Sequence, residues 1–321
     1  MQVDSKEVKI FTGNANPRLA ENIADYLNLP LGKALVTTFN NGEVRIKLEE
    51  SVRGCDVFVV QPTSRPVNHS LMELLVMTDA LKRASARHIT AVIPYYGYAR
   101  QDRKATGREP ITAKLVANLI TVAGADRILT MDLHSSQIQG FFDINVDHLT
   151  AMPVLVDYFS KKSIPDLCVV SPDVGRVKLS RTMAERLGAS LAILVKRRPQ
   201  PGEAEVSEII GQVAGKNCIM ADDMIDTAGT LVSGAQALVD CGAKSIYTCA
   251  THAVLSGPAM ERLKKASIKE VLVTDTIPVP PEMMLDKIKV LTVAPMLGEA
   301  IRRIYKNVSI SEMFGFYWSG T

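Results

Sequence analysis

Cys218-Ile219-Met220-Ala221-Asp222-Asp223-Met224-Ile225-Asp226-Thr227-Ala228-Gly229-Thr230-Leu231 is the stretch whose reading decides the fold. Its short apolar opening, ended by two adjacent acids, reads as a buried strand. Asp226 to Thr230 is a turn of small, hydroxyl-bearing residues, and a helical pattern follows from Leu231 to Val239. Strand, tight loop and helix start, in that order, are the repeating unit of a parallel α/β sheet. Small residues let the backbone close around an anion, while the first N–H groups of the helix face it with the positive end of the dipole. Thr227 and Thr230 add hydroxyl donors. Asp222 and Asp223 are poor phosphate ligands but good acceptors for a sugar diol, or partners for a metal ion. A phosphate cradle and diol acceptors a few residues apart suit ribose 5-phosphate. The competing reading is a strand-end acid pair followed by an ordinary Asp/Thr helix cap.

Apolar runs of the same kind recur outward from this stretch: Val8–Phe11, Val57–Gln61, Ile89–Pro94, Ile128–Met131, Val169–Ser171, Leu191–Val195, Ser245–Ala250 and Val271–Asp275. Helical patterns alternate with them at Pro17–Leu27, Leu71–Ala84, Thr112–Ala123, Val174–Leu187 and Leu231–Cys241. That alternation predicts α/β domains, each a mostly parallel sheet flanked by helices. The chain also resembles itself. Ala80-Leu81 followed by Ala86-Arg87-His88-Ile89 matches Ala237-Leu238 followed by Ala243-Lys244-Ser245-Ile246 at one constant offset. Upstream, Gly54-Cys55-Asp56-Val57-Phe58 matches Gly215-Lys216-Asn217-Cys218-Ile219. Two related halves are expected, at 1–150 and 151–300, with a tail from 301 to 321 packing back on the first. The acidic loop belongs to the second half alone, since the first carries Gln61-Pro62-Thr63-Ser64 in its place.

A chain of 321 residues has room for two cores, and 47% hydrophobic with 22% charged residues is ordinary globular composition. A net charge of +3 gives no argument for a nucleic-acid partner. No apolar run approaches a membrane span, and the first residues lack the pattern of a signal peptide. Five scattered cysteines, Cys55, Cys168, Cys218, Cys241 and Cys249, are expected as buried free thiols in a reducing, cytoplasmic setting.

Several further stretches carry chemistry. Phe39-Asn40-Asn41-Gly42-Glu43 is a hairpin-type turn before a strand-like Val44–Leu48. Tyr95-Tyr96-Gly97-Tyr98-Ala99-Arg100-Gln101-Asp102-Arg103-Lys104 follows a strand end, where aromatics among cations can stack a base and grip a polyphosphate. The same residues also read as a solvated basic loop, and Ala105 to Pro110 as a polar, mobile one. Asp132-Leu133-His134 and Ser171-Pro172-Asp173 are strand ends bearing a histidine and an acid, a structural His and a helix cap on one reading and Mg²⁺ ligands on another. Lys196-Arg197-Arg198 leads into Pro199-Gln200-Pro201-Gly202; alternate residues of an extended chain point the same way, so Lys196 and Arg198 can face one site.

Taken together, Phe39–Glu43, Ser51-Val52-Arg53-Gly54, Tyr98–Asp102, Met131–Phe142, Ser171–Asp173, Lys196–Arg198 and residues 222–230 resemble the class I ribose-phosphate pyrophosphokinases (PRPP synthetases). The resemblance covers nearly the whole chain and implies two tandem phosphoribosyltransferase-like domains. The implied reaction is that of ATP with ribose 5-phosphate to give PRPP and AMP. It implies that Phe39, Asn41, Gly42 and Glu43, supplied by a neighbouring subunit, join Arg100 and Gln101 around ATP. His134 and Asp173 correspond to magnesium positions, and Lys196 and Arg198 to a catalytic flexible loop. Asp222, Asp223, Asp226, Thr227, Ala228, Gly229 and Thr230, with Arg198, correspond to the ribose 5-phosphate site. Ser51, Arg53, Gln139, Ser309, Ser311 and Phe314 correspond to a regulatory site for phosphate and ADP. A homo-oligomer, a hexamer, follows from the same source. Gly175-Arg176 departs from the family's Gly-Gly and adds a cation beside a metal position. Two alternatives remain at this stage. A phosphoribosyltransferase that consumes PRPP gives no reason for a doubled chain, and a non-catalytic associated subunit would carry an insertion near the catalytic loop.

Overall fold

The computed structural model describes residues 7–197 and 205–314. The chain forms two compact units, one running to Leu149 and resuming at Thr292, the other spanning Thr150–Leu291. In the first, β1 (Val8–Thr12), β4 (Asp56–Val60), β5 (His88–Ile93), β6 (Arg127–Met131) and β7 (Asn145–Leu149) form one parallel sheet in that order. A separate antiparallel hairpin pairs β2 (Ala34–Thr38) with β3 (Val44–Leu48). In the second unit β8 (Leu167–Ser171), β11 (Asn217–Ile225), β12 (Ser245–Ala253), β13 (Glu270–Thr274) and β14 (Ile288–Leu291) repeat that parallel order. There the hairpin of β9 (Ser190–Arg197) and β10 (Glu205–Ile210) joins the sheet, β9 lying parallel to β8 and β10 antiparallel to β9.

Each sheet is buried on both faces, and strand periodicity divides its side chains between them. In β11 the alternate residues Cys218 and Met220 pack with Leu231, Ala235 and Leu238 of α6 (Gly229–Asp240) and with Leu263 of α7 (Ala259–Lys265). Ile219 and Ala221 face the other way, toward Leu155 and Phe159 of α4 (Met152–Lys162) and Met183 and Ala184 of α5 (Val177–Leu187). Full burial of one such Leu or Phe stabilises by roughly 1.5–3 kcal/mol. In the first unit Val57 and Val59 pack with Leu74, Met77 and Leu81 of α2 (Val67–Arg83) and with Val116 and Ile120 of α3 (Thr112–Ala123).

The internal repeat is physical. Gly54 and Gly215 both have φ of 72°, a conformation glycine alone adopts without strain. Gly54 N–H donates to Ser85 O at 2.9 Å, and Gly215 N–H donates to Gly242 O at 2.8 Å. Arg87 N–H reaches Cys55 O and Lys244 N–H reaches Lys216 O, both at 2.8 Å. One turn architecture therefore delivers β4 and β11 into the middle of their sheets.

The second unit ends at Leu291, not at 300, because α8 (Ala294–Tyr305) returns to the first. It lies against α1 (Pro17–Leu27) so closely that a Cβ at Gly298 would fall 2.4 Å from the Tyr26 ring. Tyr305 Oη adds a hydrogen bond to Glu7 at 2.6 Å. Val174–Leu187, expected as one helix, opens with a 3-10 turn at Val174–Arg176 because Asp173 caps it there. Cys241 is exposed, unlike the other four thiols, because it follows the last turn of α6.

Gly97 sets the path of the segment after β5: its ideal Cβ would lie 2.4 Å from the Thr63 carbonyl oxygen. Gly97→Ala is expected to destabilise the first unit by about 1–3 kcal/mol, the usual range for overpacking. Urea unfolding followed by intrinsic fluorescence measures it.

Candidate active site

The two acids sit on β11 beyond the end of its neighbour. The pairing of β11 with β8 stops at Met220 opposite Val170, so Asp222 and Asp223 project past the last residue of β8. The chain leaving β8 turns over that freed edge. Ser171 Oγ donates to Asp173 O at 2.7 Å, and Asp173 Oδ1 accepts the Arg176 N–H at 3.1 Å. This brings Arg176 onto both acids, Nε 3.2 Å from Asp222 Oδ1 and Nη2 2.5 Å from Asp223 Oδ2. Asp222 Oδ1 also accepts the Asp223 N–H at 2.8 Å. Burial and the neighbouring Asp223 push Asp222 up to about 8, and the Arg176 charge opposes that rise.

Five residues later the backbone turns left-handed. Ala228 has φ of 57°, and α6 starts at the next residue with no side chain capping it. The first N–H groups of a helix have no partner within it, and a left-handed residue beside helical ones makes a concave nest of N–H groups. Two neighbours brace this loop. Ser256, on the segment after β12, donates its N–H to Asp226 O at 3.0 Å and its hydroxyl to the Asp226 carboxylate. Arg262 Nη1 donates to Thr227 O at 3.0 Å and lies 3.1 Å from where a Gly229 Cβ would stand. Thr227 and Thr230 are exposed. Asp222, Asp223, Asp226 and residues 227–230 thus lie on one strand end and one helix start, as their spacing implied.

The first unit holds its expected residues in two places. At the β2–β3 tip, Phe39 N–H donates to Glu43 O and Gly42 N–H to Phe39 O, both at 2.8 Å, and Asn41 Oδ1 accepts the Glu43 N–H at 3.1 Å. Phe39 is 48% exposed, enough to offer its ring to a ligand, and the Arg45 guanidinium lies 5.3 Å from the ring centre. After β5, Gln101 N–H donates to Tyr98 O at 2.9 Å and Gln101 accepts from the Thr112 hydroxyl, while Arg100 is exposed. The following polar stretch is tied to Glu109, whose carboxylate accepts from Ala105 N–H at 2.8 Å and Thr106 N–H at 3.0 Å.

His134 precedes a 3-10 helix, Ser136–Phe141, which carries Gln139. Among the described residues no three His, Cys, Asp or Glu side chains gather as a ready metal cage. Asp173, half-buried at the end of β8, presents the hard oxygen donor that magnesium takes, and its partners in such sites are waters and substrate phosphates. Ser51 and Arg53 are exposed near the start of β4, and Ser309 and Ser311 share a hydrogen bond at 2.7 Å after α8. Phe314 closes the last 3-10 turn. The Lys196 backbone lies in β9 opposite Val206, and Arg198 falls outside the described residues.

Sequence reading missed Arg262 and Ser256. The available signal was Ser256-Gly257-Pro258, a turn at the carboxyl end of the strand that pairs with β11. It noted Arg176 but not its partners, which depend on β11 outrunning β8.

Two α/β units with the same parallel strand order, the second carrying an acidic, nest-forming loop at a strand end, define a tandem phosphoribosyltransferase-like protein. A model described as the N-terminal domain of ribose phosphate pyrophosphokinase matches residues 8–124, and one described as the phosphoribosyl synthetase-associated domain matches residues 192–315. The ribose-phosphate pyrophosphokinase of Caldanaerobacter subterraneus subsp. tengcongensis is 60% identical over 311 residues, 97% of this chain and 98% of that protein. The Bacillus subtilis protein of the same name is 55% identical over 313 residues, 98% of this chain and 99% of its own. The crystal structure of phosphoribosylpyrophosphate synthetase from Mycobacterium smegmatis superposes with a TM-score of 0.89 at 45% identity, covering 94% of this chain and 99% of that one. The chain belongs to the ribose-phosphate pyrophosphokinase family.

Asp222 carries a pH signature. Its folded value of about 8 lies above the ordinary 3.8, so the folded chain holds a proton that the unfolded chain releases. That favours folding at low pH and is lost as pH rises from about 4 to about 8. Asp222→Asn is therefore expected to gain stability relative to the parent on going from pH 5 to pH 8, read as urea midpoints of the ligand-free protein.

Proposed function

We propose that this chain transfers the diphosphoryl group of ATP to the anomeric hydroxyl of ribose 5-phosphate, giving PRPP and AMP for nucleotide biosynthesis. The observation that carries this reading is the acid pair standing at a strand end one short loop before an uncapped helix start. The nest at Ala228–Thr230 binds the 5-phosphate through main-chain N–H groups, with the Thr227 and Thr230 hydroxyls beside it. Asp222 and Asp223 accept hydrogen bonds from the sugar's vicinal hydroxyls and fix the ring, which sets the direction of the anomeric oxygen. Such positioning replaces an encounter by a held geometry, which together with charge stabilisation is the main contribution a protein makes to phosphoryl-type transfer.

ATP takes its contacts from Arg100 and Gln101, whose segment is pinned by Tyr98, Thr112 and Gly97, and from the Phe39–Glu43 tip of a neighbouring subunit. Magnesium is the proposed cofactor, held through Asp173 and His134; when bound it neutralises phosphate charge as a Lewis acid. Lys196 and Arg198 stabilise the charge on the transferring group and on the departing AMP oxygen. No side chain is assigned as general base. Ser51, Arg53, Gln139, Ser309, Ser311 and Phe314 form the proposed phosphate and ADP site of a homohexamer, and a cytoplasmic location suits the buried thiols. Among the described residues no helix is long and apolar enough to cross a membrane.

Incubation with ATP, a magnesium salt and ribose 5-phosphate is expected to release AMP without any nucleobase. A PRPP-consuming transferase would release none. Lys196→Ala should retain ribose 5-phosphate binding by calorimetry while turnover falls about 10²–10³-fold, the usual loss of one charge-stabilising donor. Undiminished turnover would remove Lys196 from the mechanism.

A further inference from the structure

Arg176 bridges the two acids at the end of β11. Its guanidinium contacts one oxygen of each acid, 3.2 Å from Asp222 and 2.5 Å from Asp223. Its side chain is only 20% exposed, and that of Asp223 only 7%, so this is not a solvated surface pair. The rigid, planar fork of arginine holds two carboxylates in a fixed geometry, whereas a lysine ammonium is a flexible point charge. The backbone at Arg176, φ −101° and ψ 5°, is open to any residue, so nothing in the turn demands glycine or resists it. The same residue is anchored by its own N–H to Asp173 Oδ1, which couples the fork to the carboxylate at the end of β8.

We propose that Arg176 is a positioning residue for the sugar: it supplies the positive charge that the Asp222–Asp223 pair would otherwise draw from a divalent cation, and it fixes both carboxylates as diol acceptors. This inference rests on the ribose 5-phosphate reading of the site. Two adjacent carboxylates in a half-buried strand end form a hard-oxygen donor set that attracts a divalent ion. With the guanidinium across them one of the pair's two negative charges is offset, one oxygen of each acid is held by the fork, and the sugar meets a prearranged acceptor. Without it the carboxylates lose that orientation and bind a cation in its stead.

Manganese is the probe. Free Mn²⁺ is counted by electron paramagnetic resonance during titration of the full-length protein, its Arg176→Gly variant and the Arg176→Gly/Asp222→Asn double variant, all without nucleotide. Arg176→Gly is expected to bind one more Mn²⁺ per chain than the parent, and the double variant to lose that extra ion. The KM for ribose 5-phosphate in Arg176→Gly should rise roughly tenfold at low Mn²⁺, the weight of one charge-assisted hydrogen bond, and fall back as Mn²⁺ increases. Equal Mn²⁺ counts in parent and variant would overturn the proposal. So would a parent that loses one Mn²⁺ on Asp222→Asn alone, since the cation would then already displace the arginine. Arg176→Gln, which keeps the stem and removes the charge, repeats the count if the glycine variant proves unstable. Absence of any calorimetric heat between the parent and ribose 5-phosphate would instead defeat the sugar-phosphate reading, and the Mn²⁺ counts would still decide the role of Arg176.

Discussion

Two like charges on consecutive residues, inside the end of a central strand, are the constraint around which the second unit is arranged. Neighbouring carboxylates raise each other's cost of ionisation, and burial raises it further. The chain answers with geometry. β8 stops short, so the acids project where a loop reaches them; the Asp223 N–H turns to Asp222 Oδ1 at 2.8 Å; the Arg176 fork covers both side chains. None of these groups serves the hydrophobic core, and none would be needed if the acids were leucines. A strand that tolerates such charge does so because open α/β sheets keep their carboxyl ends for ligands.

The loop that follows applies the same logic to an anion. A left-handed Ala228 is strained by about 1–2 kcal/mol relative to an ordinary helical conformation. The surroundings hold it there: Ser256 grips Asp226 on one side and Arg262 grips the Thr227 carbonyl on the other. The helix that starts at Gly229 is left without a side-chain cap on its first N–H groups. On the proposed reading, acceptors for hydroxyls and donors for phosphate are kept apart by a few residues of braced backbone, which suits a ligand with a polar ring and an anionic tail.

Much of this was legible in the sequence because it is local. Strand period, helix period and the composition of residues 226–230 are properties of short windows, and α1 and α3 run over the residues their pattern gives. What escaped is non-local or weakly apolar. β7 reads Asn-Val-Asp-His-Leu, too polar to be recognised as a strand, and is placed by pairing with β6. β10 is an antiparallel edge strand with glutamates at two positions, a pattern that alone suggests surface loop. The return of α8 to the first unit depends on the close approach of Gly298 and Tyr26, residues far apart in the chain. The partners of Arg176 depend on where one strand ends relative to another, which no window contains.

The doubled architecture explains how one ancestral plan serves two substrates. In both units the helix that follows the first parallel strand leads into an antiparallel hairpin, β2–β3 after α1 in one and β9–β10 after α5 in the other, and residues proposed for the chemistry lie on each: Phe39–Glu43 on the first and Lys196 on the second. In both units the next parallel strand enters through the same glycine turn. The units diverge where that strand ends. β11 runs on into its acid pair, whereas β4 gives way to Gln61, a fully buried amide whose donor group is engaged by Glu73 at 2.8 Å and by the Ser70 carbonyl at 3.2 Å. A Cβ at Gly13 would strike that amide at 2.4 Å, so the position is packed shut. A polar group tied into its own unit is engaged there rather than offered to a sugar, and the proposed ATP contacts of the first unit fall instead on the segment after β5. Duplication supplied two strand ends, and the difference between a satisfied glutamine and a charged pair divided the work between them.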